Sequence, residues 1–135
     1  MTSCIGSQAG IFLGRPCYPY TVRMAIAATP APPYYAVIFT SLRTNGDEGY
    51  GKMAEAMEKL AATQPGFLGI ESARDELGRD GLGITVSCWE SLEAIAAWKA
   101  NSTHLVAQQR GRDTWYEEFK VRICRVERDY AFDRA

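Results

Sequence analysis

Histidine is almost missing from this chain: its 135 residues contain one, His104. One imidazole without clustered cysteines leaves too few ligands for a structural zinc site, so no metal is expected. The four cysteines, at 4, 17, 88 and 124, include no CxxC pair. That pattern argues against a disulfide scaffold and fits free thiols in a reducing compartment such as the cytoplasm. An excess of either charge is also lacking: 15 basic and 16 acidic residues leave a net charge of −1. Nothing electrostatic therefore recommends nucleic acid or an anionic membrane as partner. No run approaches the roughly 18 apolar residues of a membrane span. Glycines 78, 81 and 83 mark a turn rather than a phosphate-binding loop. A Gly-x-Ser-x-Gly nucleophile motif is absent as well.

Acidic residues are missing from positions 1–34, which hold five of the six prolines. The apolar run Ile11-Phe12-Leu13 is short and has no basic residue before it, so it makes a poor secretory signal. The segment reads as an N-terminal arm, either mobile or preceding a true start at Met24. Its tyrosines at 18, 20, 34 and 35 also suit packing on a partner subunit. Residues 35–130 read as one domain and 131–135 as a tail. With 47% hydrophobic and 23% charged residues, that domain can bury a real but modest core, which pairing with a second copy would help.

From residue 35 the pattern is regular. YAVIFTSL (35–42) is β-branched and aromatic on both faces and predicts a central strand. Residues 50–64 predict a helix with Met53, Met57, Leu60 and Ala61 on one side, ended by Pro65-Gly66. A second strand is expected over 67–75, a hairpin-like loop over 76–82 and a third strand over 83–89. Ser91 is placed to cap a helix reaching Lys99, with Leu92, Ile95 and Trp98 on its buried stripe. Asn101-Ser102 breaks it. A further helical segment is expected over 103–116 and a last strand over 119–130. The parity switch at Ile123-Cys124 suggests a bulge there, or burial on both faces. The order β-α-β-β-α-β is the split βαβ, ferredoxin-like arrangement of the α+β class, built on an antiparallel sheet. Strands 1 and 3 do not alternate cleanly, so the sheet face away from the helices is also apolar. A bare apolar sheet face points to a homodimer with sheets packed face to face.

The stretch 83–104, GITVSCWESLEAIAAWKANSTH, joins an apolar strand to a tryptophan-bearing helix and then to the lone imidazole. With Pro65-Gly66-Phe67, Trp89-Glu90-Ser91, and Trp98 followed by Ser102 and His104, it resembles the antibiotic biosynthesis monooxygenase family of dimeric α/β barrels. The resemblance covers about 35–130. It implies a dimer and an oxygenase that uses no metal, flavin or other cofactor. Such an enzyme deprotonates a small quinol- or anthrone-like aromatic molecule, whose anion reacts with O2. That chemistry needs a dry aromatic cavity, a base with a pKa near neutrality, and donors for the oxyanion.

His104 is the candidate base, although a histidine at a helix start also commonly faces solvent. Trp98 either lines the pocket or packs in the core, as a helical apolar stripe usually does. Trp89, Trp115, Tyr116, Phe39 and Phe67 complete the candidate substrate-binding set, each with core packing as the competing role. Arginines 122, 125 and 128, beside Glu127 and Asp129, read as a solvated or inter-subunit charge pattern. Arg110 and Arg112 are unranked donors. In the heme-degrading branch that the resemblance includes, a strand-one Asn, a helix Trp and a downstream His act together. Here Phe39, Thr40 and Ser41 replace the Asn, and Gln108 stands where the iron ligand would fall, so heme is poorly supported.

Overall fold

The computed structural model describes residues 26–75 and 81–134. Strand β1 (Tyr34–Arg43) is followed by helix α1 (Tyr50–Ala61), β2 (Phe67–Arg74) and β3 (Leu82–Trp89). Helices α2 (Leu92–Ala100) and α3 (Ser102–Arg110) come next, then a π-helical turn (Gly111–Trp115) and β4 (Tyr116–Val126). The sheet is antiparallel throughout, in the order β2-β3-β1-β4. This is the ferredoxin-like α+β fold, with helices against one sheet face. No helix among the described residues is long and apolar enough to cross a membrane. Of the N-terminal arm expected over 1–34, residues 1–25 lie outside the described part, as do 76–80 of the β2–β3 loop.

Local chemistry explains the element boundaries. The β1–α1 turn closes on Asp47, whose carboxylate accepts from the amides of Gly49 (3.1 Å) and Gly51 (3.0 Å). Helix α1 stops at Ala61, a turn earlier than the sequence suggests, because Gln64-Pro65-Gly66 already turns the chain. Gly66 has φ 86°, and a Cβ there would lie 2.6 Å from that of Ala94, so this crossing requires glycine. Ser91 caps α2, its hydroxyl accepting from the Ala94 amide at 3.0 Å. Asn101 does more than break the helix: its side chain accepts from the amides of Thr103 and His104 and so starts α3.

Strand alternation sorts the two faces. On the helix side, Tyr35 and Val37 of β1 pack with Phe67, Ala94 and Trp98 around a core of Ala61, Trp89 and Ile95. Further along the same face of β1 come Phe39, Ser41 and Arg43. On the opposite face the leading segment lies against β2, where the Ala27 amide donates to Glu71 (2.9 Å) and Ala27 meets Gly69. Leu82 and Ile84 on that face are 49% and 42% exposed. Cys88 and Cys124 are free thiols.

Three expectations need correction. Strand β4 starts at Tyr116 and ends at Val126, because the π-helical turn finishes the helical segment before Tyr116. Its pairing with β1 runs unbroken past Ile123-Cys124, and the register shift falls instead at Leu42/Arg43. Leu92 is half exposed, not part of a buried stripe, since Ala94 and Ile95 are the residues turned to the core at the start of α2.

Candidate functional site

The sequence-chosen residues separate into two groups on the helix side of the sheet. The first is a column of rings. Phe67 meets Trp89 edge-on at 5.4 Å. Trp89 and Trp98 are near parallel at 6.1 Å. Trp98 and His104 stack at 4.0 Å, with 14° between their planes. Trp89 is wholly buried. Its indole N–H donates to the Ser87 hydroxyl at 2.9 Å, so the burial leaves no unpaired donor.

His104 is the third residue of α3 and is half-buried. Its Nδ1 lies 2.8 Å from the Trp98 carbonyl oxygen. A carbonyl only accepts, so this contact assigns the proton to Nδ1 and leaves a lone pair on Nε2. Burial pushes the imidazole pKa below its ordinary 6.5, and the bond to the Trp98 carbonyl opposes this more weakly. The α3 N-terminus, with its positive dipole end, also disfavours imidazolium. The ring is therefore neutral near pH 7, with one basic nitrogen. Gln108 sits one turn on, donating to the Lys99 carbonyl at 2.9 Å, with its amide nitrogen 3.4 Å from the same Nδ1.

Trp98 thus has Trp89 and His104 as ring neighbours. It also lines an open groove of about 290 Å³ between the Gln64-Pro65-Gly66 turn and the Glu90–Ala97 stretch. His104 is not in its wall.

The second group occupies the other end of the sheet. Phe39 packs on Tyr116 at 5.3 Å and on Phe119 at 5.4 Å. Trp115 is buried, with its indole N–H on the Glu48 carbonyl at 2.9 Å. Tyr50 meets Trp115 and Tyr116 edge-on. Arg110 lies over Trp115 at 5.1 Å. Four polar members were missed from sequence: Ser41, Arg43, Tyr50 and Arg74. Burial, and next the Tyr50 hydroxyl, push the Tyr116 phenol far above its usual range, so it stays protonated. The structure thus gathers His104, Trp98, Trp89 and Phe67 at one end and Phe39, Tyr116 and Trp115 at the other.

The model of the family described as antibiotic biosynthesis monooxygenase matches residues 33–110. The chain belongs to that family. A Bacillus subtilis relative, the uncharacterized protein YqjZ, is 50% identical over 107 residues, covering 79% of this chain and 91% of YqjZ. A second relative, the jasmonate monooxygenase ABM of Pyricularia oryzae, is 31% identical over 94 residues. That match covers 68% of this chain and 43% of the fungal protein. Among solved structures, SnoaB, a cofactor-independent oxygenase from Streptomyces nogalater, superposes with a TM-score of 0.59 at 14% identity. The superposition covers 73% of this chain and 97% of SnoaB. A Pseudomonas aeruginosa protein, PA3566, gives 0.59 at 17%, covering 75% and 99% of the two chains. At such identities these two establish the shared antibiotic biosynthesis monooxygenase fold and nothing finer.

Proposed function

We propose that the protein is a cofactor-independent monooxygenase acting on a small aromatic molecule of hydroquinone or anthrone type. The observation that carries this reading is the 2.8 Å contact of His104 Nδ1 with the Trp98 carbonyl, which in the neutral ring leaves Nε2 basic. An anthrone methylene loses a proton to Nε2. The carbanion passes one electron to O2, and the radical pair combines to form a C–O bond. The imidazolium returns its proton to the peroxide, which loses water. The CH2 becomes C=O, one oxygen atom enters the product and the other leaves as water, so no external reductant is needed. Trp98, stacked on His104, is the proposed wall for the ring system, backed by Trp89 and Phe67; Phe39, Tyr116 and Trp115 lie at the other end of the sheet and are not part of this wall. Family membership and the SnoaB-like fold support this reading. A homodimer through the face bearing Leu82 and Ile84 would cover their exposed apolar surface.

The test is oxygen uptake with a panel of hydroquinones and anthrones, with jasmonate included because of the fungal relative. His104→Ala should lower turnover by about 100-fold or more. No uptake on any compound, or an unaffected variant, would contradict the proposal. A second reading, a non-catalytic dimer that binds a small apolar ligand, is favoured by one observation: the open groove beside Trp98 does not have His104 in its wall. Binding without oxygen uptake would support it.

A further inference from the structure

At the end of the sheet away from His104, one rung crosses three strands. Arg74 of β2 pairs with Gly83 of β3, which pairs with Ser41 of β1. The Arg74 side chain passes over Gly83, where a Cβ would lie 2.3 Å from its guanidinium carbon. Glycine therefore opens the passage. Beyond it, Arg74 Nη2 donates to the Ser41 hydroxyl at 2.6 Å. Nη1 donates to the carbonyls of Gly81 (2.5 Å) and Ser41 (3.4 Å). Ser41, 2% exposed, accepts from Arg74.

Arg43 joins this rung two residues further along β1. Its Nε donates to the Trp115 carbonyl at 3.0 Å and Nη2 to the Gly46 carbonyl at 2.9 Å. Its guanidinium carbon lies 3.7 Å from the Tyr50 ring centre, and that of Arg74 lies 5.8 Å from the same centre. Tyr116 pairs with Arg43 across the strands and its hydroxyl contacts that of Tyr50. Phe39 and Phe119 wall the cluster with carbon.

Two partly buried guanidinium groups thus lie near one ring, and they donate to carbonyls and a hydroxyl. Neutral acceptors satisfy N–H groups but do not cancel charge. Asp47 is turned to the amides of Gly49 and Gly51. An anion beside them would offset their charge, and a guanidinium edge matches the two oxygens of a carboxylate. We infer that Arg43, Arg74, Ser41, Tyr50 and Tyr116 form a carboxylate-binding site for the acid group of a small ring compound. Its role in turnover rests on the oxygenase reading, whereas the binding itself does not.

The test is calorimetric titration under argon with 4-hydroxyphenylacetate and its methyl ester. The wild-type protein should bind the acid about tenfold more tightly than the ester, the value of one charged hydrogen-bond pair. Arg74→Gln should abolish that preference, and Arg74→Lys should retain part of it. If Arg74→Gln does not fold, Gly83→Ala tests the same contact by displacing the guanidinium while keeping its charge in the chain. His104→Ala should keep the preference, which separates this site from the base. Equal binding of acid and ester, an undiminished preference in Arg74→Gln, or full displacement by equimolar inorganic phosphate would overturn the assignment.

Discussion

Two ends of one sheet face can be set side by side. At one end, Phe67, Trp89, Trp98 and His104 form a column of rings with a single titratable member. At the other, Arg43 and Arg74 bring two charges to Tyr50, with Ser41 and Tyr116 close by. Strand β1 alone shows the change, running on its helix side from Tyr35 and Val37 to Ser41 and Arg43. Both ends control a proton or a charge through burial, but in opposite ways. The ring column keeps its imidazole neutral by excluding water. The arginine cluster holds fixed charge by supplying carbonyl partners, and so remains open to an anion.

The comparison breaks most visibly at Trp89. If the ring column is the structural core, Trp89→Ala should cost about 3–5 kcal/mol in urea unfolding. A loss under about 1 kcal/mol would mean that the column carries little of the fold's stability. Next is Gly83→Ala, at the charged end. A Cβ there meets only the flexible tip of Arg74, so the tip moves and its bond to Ser41 is lost. The expected stability loss is about 1–2 kcal/mol, read from the same unfolding curve. A neutral result would show that the Arg74–Ser41 contact contributes nothing. Ser91→Ala removes the α2 cap beneath Trp98 and should cost about 1 kcal/mol without altering ligand preference at the arginine end.

The smallest expected effect is on pH dependence. Burial lowers the folded-state pKa of His104 below 6.5, so below pH 6.5 the unfolded chain binds more protons than the folded one. Stability is thus undiminished above pH 6.5 and declines as pH falls below it towards the folded-state pKa. Thermal melts between about pH 5 and 7.5 should show this decline in the wild type and a flatter profile in His104→Asn. A decline of equal size in both would assign the effect to other groups.

How much of this was legible in the sequence differs between the two ends. The column was largely readable because its members lie in short, patterned segments: Pro65-Gly66-Phe67, Trp89-Glu90-Ser91, and Trp98 to His104. Hydrophobic period and the Ser91 cap placed those segments on a strand and a helix. What could not be read was that His104 stacks on Trp98, since that depends on how α3 folds back after Asn101. The arginine cluster was invisible for a stronger reason. Arg74, Gly83 and Ser41 meet only through strand register, and register is a long-range property that a one-residue slip would reverse. Gly83 looked like a turn residue because its use, letting a guanidinium pass, belongs to its neighbour on another strand. Strand β4 was placed late because the π-helical turn over Gly111–Trp115 has no pattern of its own.

The state of His104 is the point on which the oxygenase reading stands, and the chain's single histidine makes it directly observable. Nitrogen-15 NMR of the histidine-labelled protein, titrated through neutral pH, reports both tautomer and pKa from one signal. The account predicts a neutral ring protonated on Nδ1, with Nε2 unprotonated and a pKa below 6.5. A ring protonated on Nε2, or one that titrates at or above 6.5, would contradict it.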